Sequence, residues 1–360
     1  MLEKFYSLQA LVKAGRQKVI HKKIVTFDLF DTLLVRRIHD PDLVKLPVAR
    51  FIVERAKQDG IRIGFKKVQR IRDDAEKENR ARTAESHEDH EACYPLFMRQ
   101  ALRTIWQEKF AESLFEEVAA YEIAMENSML VPRKELVDWL VELSDAGKRI
   151  FIISDMYLPA SYLEQLLEYA GIRQYVEEVI SSADSYRAKA SGLGYALVAE
   201  RFGLDREEWL HIGDNEYSDG LRAEEFGIDS LIIHDPKEDQ RKSIVKRYFN
   251  YSDGKPFWRG RVLQQLMAPL EGENTKKEPL YTEGYNFIGP VIGIFVMRLA
   301  ELCREKKISK IFFLSREGWT FKRYWEQAMP RLYPAGDLPE TEYLYVSRMA
   351  LAGASCAVQG

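Results

Sequence analysis

The chain has 360 residues and a mass of 41.9 kDa, more than one average domain accommodates. Hydrophobic residues make up 46% and charged residues 30%, which excludes global disorder and leaves material for a packed core. The 53 Lys and Arg against 56 Asp and Glu give a formal net charge of −3, so no basic excess argues for a nucleic-acid or anionic-membrane partner.

From Met1 to Lys23 the pattern predicts a short amphipathic helix (Leu2, Phe5, Leu8, Leu11, Val12) followed by basic residues. That order is the reverse of a secretory signal, and a cytoplasmic location is expected. The run Ile24 to Phe27 reads as a buried strand ending at Asp28. Residues 34–144 then carry no strand signal. They show charged amphipathic helices at Leu46 to Ala56, Lys66 to Glu78, Pro95 to Glu112 and Ser113 to Asn127, an α-helical insertion. A helix from Arg133 to Ala146 leads into a second run of strands. These are Arg149 to Ile153 before Ser154, Glu177 to Ile180 before Ser181, Trp209 to Ile212 before Gly213, and Ser230 to Ile233. Helices from Pro159 to Gly171 and from Gly194 to Phe202 alternate with them. Such alternation predicts an α/β fold with a parallel sheet, whose chemistry sits at the carboxyl ends of the strands. Those ends read Asp28, Ser154, Ser181 with Ser182, and Asp214.

The expected organisation is a core of residues 1–33 and 145–236, the insertion 34–144, a charged linker 237–283 and a smaller α/β unit 284–360. The last unit has a helix Gly284 to Lys307, strands Lys310 to Leu314 and Glu342 to Val346, and the turn Ser315-Arg316-Glu317-Gly318 between them. Two strands do not close a sheet, so this unit reads as incomplete or truncated. Its most apolar stretch, Phe287 to Met297, falls short of the roughly 20 residues a membrane span needs. Cys93, Cys303 and Cys356 are odd in number and far apart, which suits a reducing compartment and builds no zinc site.

Four pieces fit one mechanism. Asp28, at a strand tip in Val25-Thr26-Phe27-Asp28-Leu29-Phe30-Asp31-Thr32-Leu33-Leu34, is placed as a nucleophile. Ser154 in Phe151-Ile152-Ile153-Ser154-Asp155 offers a hydroxyl to a phosphoryl oxygen. Lys189 in Tyr186-Arg187-Ala188-Lys189-Ala190-Ser191-Gly192 is a cation just before a helix. Asp214 and Asp219, in His211-Ile212-Gly213-Asp214-Asn215-Glu216-Tyr217-Ser218-Asp219, are hard oxygen ligands that suit Mg²⁺.

In this order the pieces resemble the motifs of the haloacid dehalogenase (HAD) superfamily, and the insertion stands where that superfamily carries a C1-type cap. Phe-Asp-Leu-Phe-Asp-Thr-Leu-Leu, Ser-Asp-Met-Tyr-Leu-Pro and Gly-Asp-Asn-Glu-Tyr-Ser-Asp are similar to predicted bacterial HAD hydrolases associated with glycosyltransferase and surface-polysaccharide loci. Ser315-Arg316-Glu317-Gly318 and Tyr345-Val346-Ser347-Arg348 resemble the region that follows their hydrolase domain. The resemblance implies a Rossmannoid sheet, an aspartyl-phosphate on Asp28, and a small phosphorylated substrate such as a sugar phosphate. It also implies a glycosyltransferase partner or fused domain. Backbone N–H groups of Leu29 and Phe30, with Ser154 and Lys189, would bind the phosphoryl group. Asp28, the carbonyl of Phe30 and Asp214 would hold Mg²⁺, with Asp219 as a further ligand or as support, and Asp31, Thr32 and Asn215 are possible further site residues.

One departure matters. The superfamily's phosphatases usually place an acid/base Asp two residues after the nucleophile, and here that residue is Phe30. Such assistance contributes ~10²–10⁴-fold. Two other readings therefore stand beside the phosphatase: a weakly catalytic or non-catalytic interaction module of a polysaccharide-synthesis enzyme, and a dehalogenase-type hydrolase acting at carbon. The acidic pair Asp214 and Asp219 speaks against the last. Elsewhere, His87, Glu88, Asp89, His90 and Cys93 read as a solvated face, His211 as a packed core histidine, and Arg241, Lys242, Lys246 and Arg247 as a solvated helix face.

Overall fold

The computed structural model of the chain describes residues 2–36, 41–236, 288–333 and 338–346, with 280, 284 and 352 as isolated positions. The chain divides into two units, Met1–Asp239 and Gln240–Gly360.

The first unit opens with β1 (Leu2–Phe5) and α1 (Leu8–Lys18), in place of the single helix that the apolar spacing predicts. Ser7 is extended, and its Oγ accepts from the Ala10 N–H at 3.2 Å, so the helix starts there. The residues before it pair in parallel with a strand at the far end of the unit. Next come β2 (Ile24–Phe27) and the short β3 (Leu34–Arg36). The inserted helices are α2 (Lys45–Gln58), α3 (Phe65–Ala84), α4 (Tyr94–Trp106) and α5 (Glu112–Met129). Apolar spacing explains them: in α4, Phe97, Met98, Ala101, Leu102 and Ile105 all face the core. Then β4 (Leu130–Pro132) pairs antiparallel with β3, Leu34 opposite Pro132. The chain thus leaves and re-enters the sheet region through two adjacent strands. Each is three residues long, too short to register as a strand pattern.

After α6 (Lys134–Asp145) the alternation runs β5 (Arg149–Ser154), α7 (Ala160–Tyr169), β6 (Glu178–Ser181), α8 (Ser182–Ser185) and α9 (Leu193–Phe202). It ends with β7 (Trp209–Gly213), a π-helical turn at Glu216–Leu221, α10 (Arg222–Phe226) and β8 (Asp229–Ile233). The sheet carries helices on both faces and has six strands in the order β1-β8-β7-β2-β5-β6. Every pairing in it is parallel. Side chains alternate across it. Val25, Phe27, Ile150 and Ile152 join Trp139 and the inserted helices on one face, while Ile24, Phe151, Ile153 and Trp209 pack with Tyr195 and Val198 on the other.

The second unit contains α11 (Gly289–Glu305), β9 (Lys310–Leu314), α12 (Glu317–Leu332) and β10 (Glu340–Leu344). Its two strands are parallel, and Val296, Ala300, Phe313, Trp325 and Met329 form its core. β10 lies two residues earlier than the expected strand at Glu342 to Val346. The expected linker 237–283 (Leu280 aside), with its run Arg241, Lys242, Lys246 and Arg247, lies outside the described residues, as do Ser347, Arg348 and Cys356. Among the described residues, no helix is long and apolar enough to cross a membrane.

Candidate active site

Parallel pairing brings the strand ends level. Phe27 stands opposite Ile152 of β5 and Ile212 of β7, so Asp28, Ser154 and Asp214 emerge at one edge. The Asp28 N–H donates to the Ile212 carbonyl at 2.8 Å and carries the ladder one residue beyond β2. Beyond it the chain turns tightly: the N–H groups of Leu33 and Leu34 both donate to the Leu29 carbonyl. Asp31 takes the left-handed position of this turn, with φ 58°, and its N–H donates to the Leu34 carbonyl at 2.8 Å. Aspartate tolerates that backbone better than most residues, so Asp31 is accounted for by the turn. Phe30 lies half-buried, with the Arg36 guanidinium 4.2 Å from its ring centre.

Lys189 is the hub. Its Nζ donates to Asp28 Oδ1 and to Asp219 Oδ1, both at 2.6 Å. The lysine is 2% exposed, Asp219 1% and Asp28 8%. Asp28, Asp214 and Asp219 each offer a carboxylate oxygen within 4.8 Å of the others. The Thr32 hydroxyl donates to Asp214 Oδ1 at 3.4 Å. Asn215 serves the loop: its N–H donates to Asp219 Oδ2 at 3.0 Å, and its Oδ1 accepts from the N–H groups of Tyr217 and Ser218. Position 213 must be glycine, because a Cβ there would lie 2.3 Å from the Asp219 carboxylate. Ser154 closes β5, is buried, and stands opposite Ser181.

Burial shapes the charges. It raises the Asp28 carboxyl well above its ordinary range despite Lys189, because Asp219 and Asp214 add repulsion. Burial would raise Asp219 as well, but Lys189 and a hydrogen bond from His211 outweigh it and hold this carboxylate low. Lys189 is held well above its ordinary value: burial opposes its charge, and Asp219, Asp28 and Asp155 overcome that. Lys189 thus bridges Asp28 and Asp219 at a largely buried edge of the sheet.

His211 has a role the sequence did not suggest. The Trp209 indole N–H donates to Thr26 Oγ1 at 2.8 Å, and Thr26 Oγ1 lies 2.7 Å from His211 Nδ1. The Asp219 carboxylate, held ionised, can only accept, so the imidazole proton is on Nε2, which donates to Asp219 Oδ1 at 3.2 Å. Nδ1 of the neutral ring then accepts from the Thr26 hydroxyl. Burial lowers the His211 pKa, in keeping with this neutral tautomer. Asp155 was missed too. Its Oδ1 accepts the Lys189 N–H at 2.9 Å and its Oδ2 the Ala190 N–H at 3.1 Å, fixing the lysine's turn. Its place beside Ser154 was the available signal.

The family model of haloacid dehalogenase-like hydrolases matches residues 22–227. The chain belongs to the haloacid dehalogenase-like hydrolases. Among solved structures this hydrolase is similar to the 2-haloacid dehalogenase of Pseudomonas syringae pv. Tomato DC3000, at 16% identity and a TM-score of 0.43, over 59% of this chain and 86% of that one. It is also similar to the HAD phosphatase of Thermococcus onnurineus, at 19% identity and a TM-score of 0.38, over 59% and 86%. The L-2-haloacid dehalogenase of Xanthobacter autotrophicus gives 21% identity and a TM-score of 0.39, over 62% and 82%. At these levels the likenesses decide nothing about the reaction. No curated protein matches.

Proposed function

We propose that this hydrolase is a Mg²⁺-dependent phosphatase or phosphotransferase that works through an aspartyl-phosphate on Asp28, with a small phosphorylated metabolite such as a sugar phosphate as substrate. The observation that carries the reading is the acidic cluster at the edge of the sheet: Asp28, Asp214 and Asp219 each bring a carboxylate oxygen within 4.8 Å of the others, and Lys189 pairs with Asp28 and Asp219. Oxygen donors gathered this closely suit a divalent cation bridging to a phosphate. Asp28, Asp214, Asp219 and the Phe30 carbonyl would hold Mg²⁺, which when bound supplies charge neutralisation to the phosphoryl group.

The chain's own residues do the rest. An Asp28 oxygen attacks phosphorus, the Asp28–phosphorus bond forms, and the bond to the leaving oxygen breaks; water then releases phosphate. Lys189 neutralises charge on Asp28 and on the transferring group. The Ser154 hydroxyl and the N–H groups of Leu29 and Phe30 hold the phosphoryl oxygens, the main catalytic contribution in such transfers. Phe30 carries no proton, so departure of a poor leaving group and attack by water are both slow. The inserted helices act as a cap over the edge, and the second unit fits a role in a polysaccharide-synthesis assembly with a glycosyltransferase.

Phe30 also favours a second reading, displacement of halide from carbon, where the departing ion needs no proton. A panel of aryl phosphates, sugar phosphates and 2-haloacids, assayed with Mg²⁺ and with excess chelator, separates the two. Phosphate release that stops on chelation supports the proposal. Chelator-resistant halide release with no phosphate release overturns it.

A further inference from the structure

The inserted helices do more than stand near the site. The loop joining α3 to α4 runs across the segments that follow β5 and β6 and touches them at several points. The His87 ring lies 4.8 Å from that of Tyr186. Asp89 Oδ2 accepts from the Ala188 N–H at 2.6 Å and from the Ser191 hydroxyl at 2.7 Å. Glu91 Oε2 accepts from the Ser182 hydroxyl at 3.0 Å, and Ser182 Oγ in turn accepts the Met156 N–H at 3.1 Å. The Tyr94 N–H donates to the Tyr157 carbonyl at 2.8 Å.

Asp89 is the informative member. The turn 188–191 carries Lys189, and two carboxylates hold it from opposite sides in sequence. Asp155, from the end of β5, takes the N–H groups of Lys189 and Ala190. Asp89, from the insertion, takes the flanking donors at Ala188 and Ser191. Behind the turn α9 packs without a gap, since a Cβ on Gly194 would lie 2.9 Å from the Ala188 carbonyl carbon.

We propose that Asp89 is a positioning residue for Lys189, one that makes the lysine's placement depend on closure of the inserted loop. The proposal rests on the phosphoryl-transfer reading above for its effect on rate, though not for its effect on structure. Asp28 is 8% and Lys189 2% exposed, so substrate must gain entry to this edge, and the loop that bears on the lysine's turn is the element whose movement, in this proposal, admits it. Lifting removes the acceptor of the Ala188 N–H and of the Ser191 hydroxyl, and the turn loses half of its clamp. Lys189 then no longer holds both Asp28 and Asp219 at 2.6 Å. Closure around substrate restores the clamp, so the nucleophile and its counter-charge are assembled only in the closed state.

The test compares Asp89→Ala and Asp89→Asn with Glu88→Ala, a change at an exposed neighbour on the same loop. Amide hydrogen exchange over residues 188–191, in the substrate-free protein, is expected to quicken about tenfold in Asp89→Ala, the effect of one good hydrogen bond. Asp89→Asn, which keeps an acceptor oxygen, falls between it and the wild type, and Glu88→Ala matches the wild type. With an aryl phosphate and Mg²⁺, kcat is expected to fall about tenfold in Asp89→Ala while KM stays within about twofold, and Asp89→Asn recovers part of the loss. Unchanged exchange in Asp89→Ala overturns the proposal. So does quickened exchange with unchanged kcat. If the wild type turns over no phosphate ester, the function reading fails by itself. Acylation of Lys189 by an amine reagent then decides: labelling in Asp89→Ala but not in the wild type supports the clamp, and equal protection overturns it.

Discussion

Two clusters of buried charge lie in the first unit, and they are built on opposite principles. Between α3 and α5, Arg72 donates twice to Glu122, at 2.9 and 2.6 Å, with the pair 3% and 0% exposed. Beside it Arg36 lies 3.5 Å from Glu126. Two guanidinium groups meet two carboxylates, and the charges cancel. At the sheet edge three carboxyl groups, Asp28, Asp214 and Asp219, crowd within 4.8 Å of one another, and Lys189 pairs with Asp28 and Asp219. Matched charges between packed helices act as scaffold. Carboxyl groups gathered at one edge, with Asp155, Asn215 and His211 fixing the loops that carry them, are suited to receive positive charge from outside.

Removing one charge from each cluster distinguishes the two. Asp28→Asn is expected to lower phosphatase activity by ~10³-fold or more, because the amide is not a nucleophile. Its melting temperature stays level or rises, since the amide is neutral at a position where burial, Asp219 and Asp214 all oppose a carboxylate's charge. A matching loss of activity and stability would erase the distinction. Arg72→Met is expected to do the opposite: urea denaturation reads a loss of about 3–5 kcal/mol as Glu122 is left buried and unpaired. The double change Arg72→Met with Glu122→Leu recovers most of that loss, and no recovery would mean that the pair is more than a strut. Thr32→Val, which removes the hydroxyl from Asp214, is expected to weaken Mg²⁺ binding by ~10–100-fold in titration calorimetry. Equal affinity would exclude Asp214 from the ion's surroundings.

The smallest effect concerns Phe30. Phe30→Asp is expected to raise steady-state turnover about tenfold, the low end of acid–base assistance. The Arg36 guanidinium, now 4.2 Å from the ring centre, would favour the ionised carboxylate, so the gain falls on water attack on the phosphoenzyme. Pre-steady-state kinetics that place the gain on phosphoenzyme formation would contradict this assignment.

Much of the sheet was legible. Its central strands are short apolar runs that end in a polar residue, and Ile24–Phe27, Arg149–Ser154 and Trp209–Gly213 lie where those runs do. β1 was not, because Leu2-Glu3-Lys4-Phe5 sits half-buried at an edge and carries two charges in four residues. Asp28, Lys189, Asp214 and Asp219 were singled out by strand ends and by resemblance, and the fold brings all four together. Asp31 was a candidate on chemistry alone, and its left-handed backbone ties it to a turn instead. His211 read as packing, since its role follows from Asp219 lying against one ring nitrogen and Thr26 standing opposite it in the neighbouring strand, facts of folding and register. Asp89 read as a solvated charge because its partners at 188 and 191 are about one hundred residues away.

Transfer of a phosphoryl group through Asp28 is tested by rapid-quench mass spectrometry with an activated aryl phosphate and Mg²⁺. A burst of phosphate on Asp28 followed by slow release is expected, and it is absent in Asp28→Asn. Folded, Mg²⁺-loaded protein that hydrolyses the ester with no label on Asp28, or that carries equal label in Asp28→Asn, would contradict it.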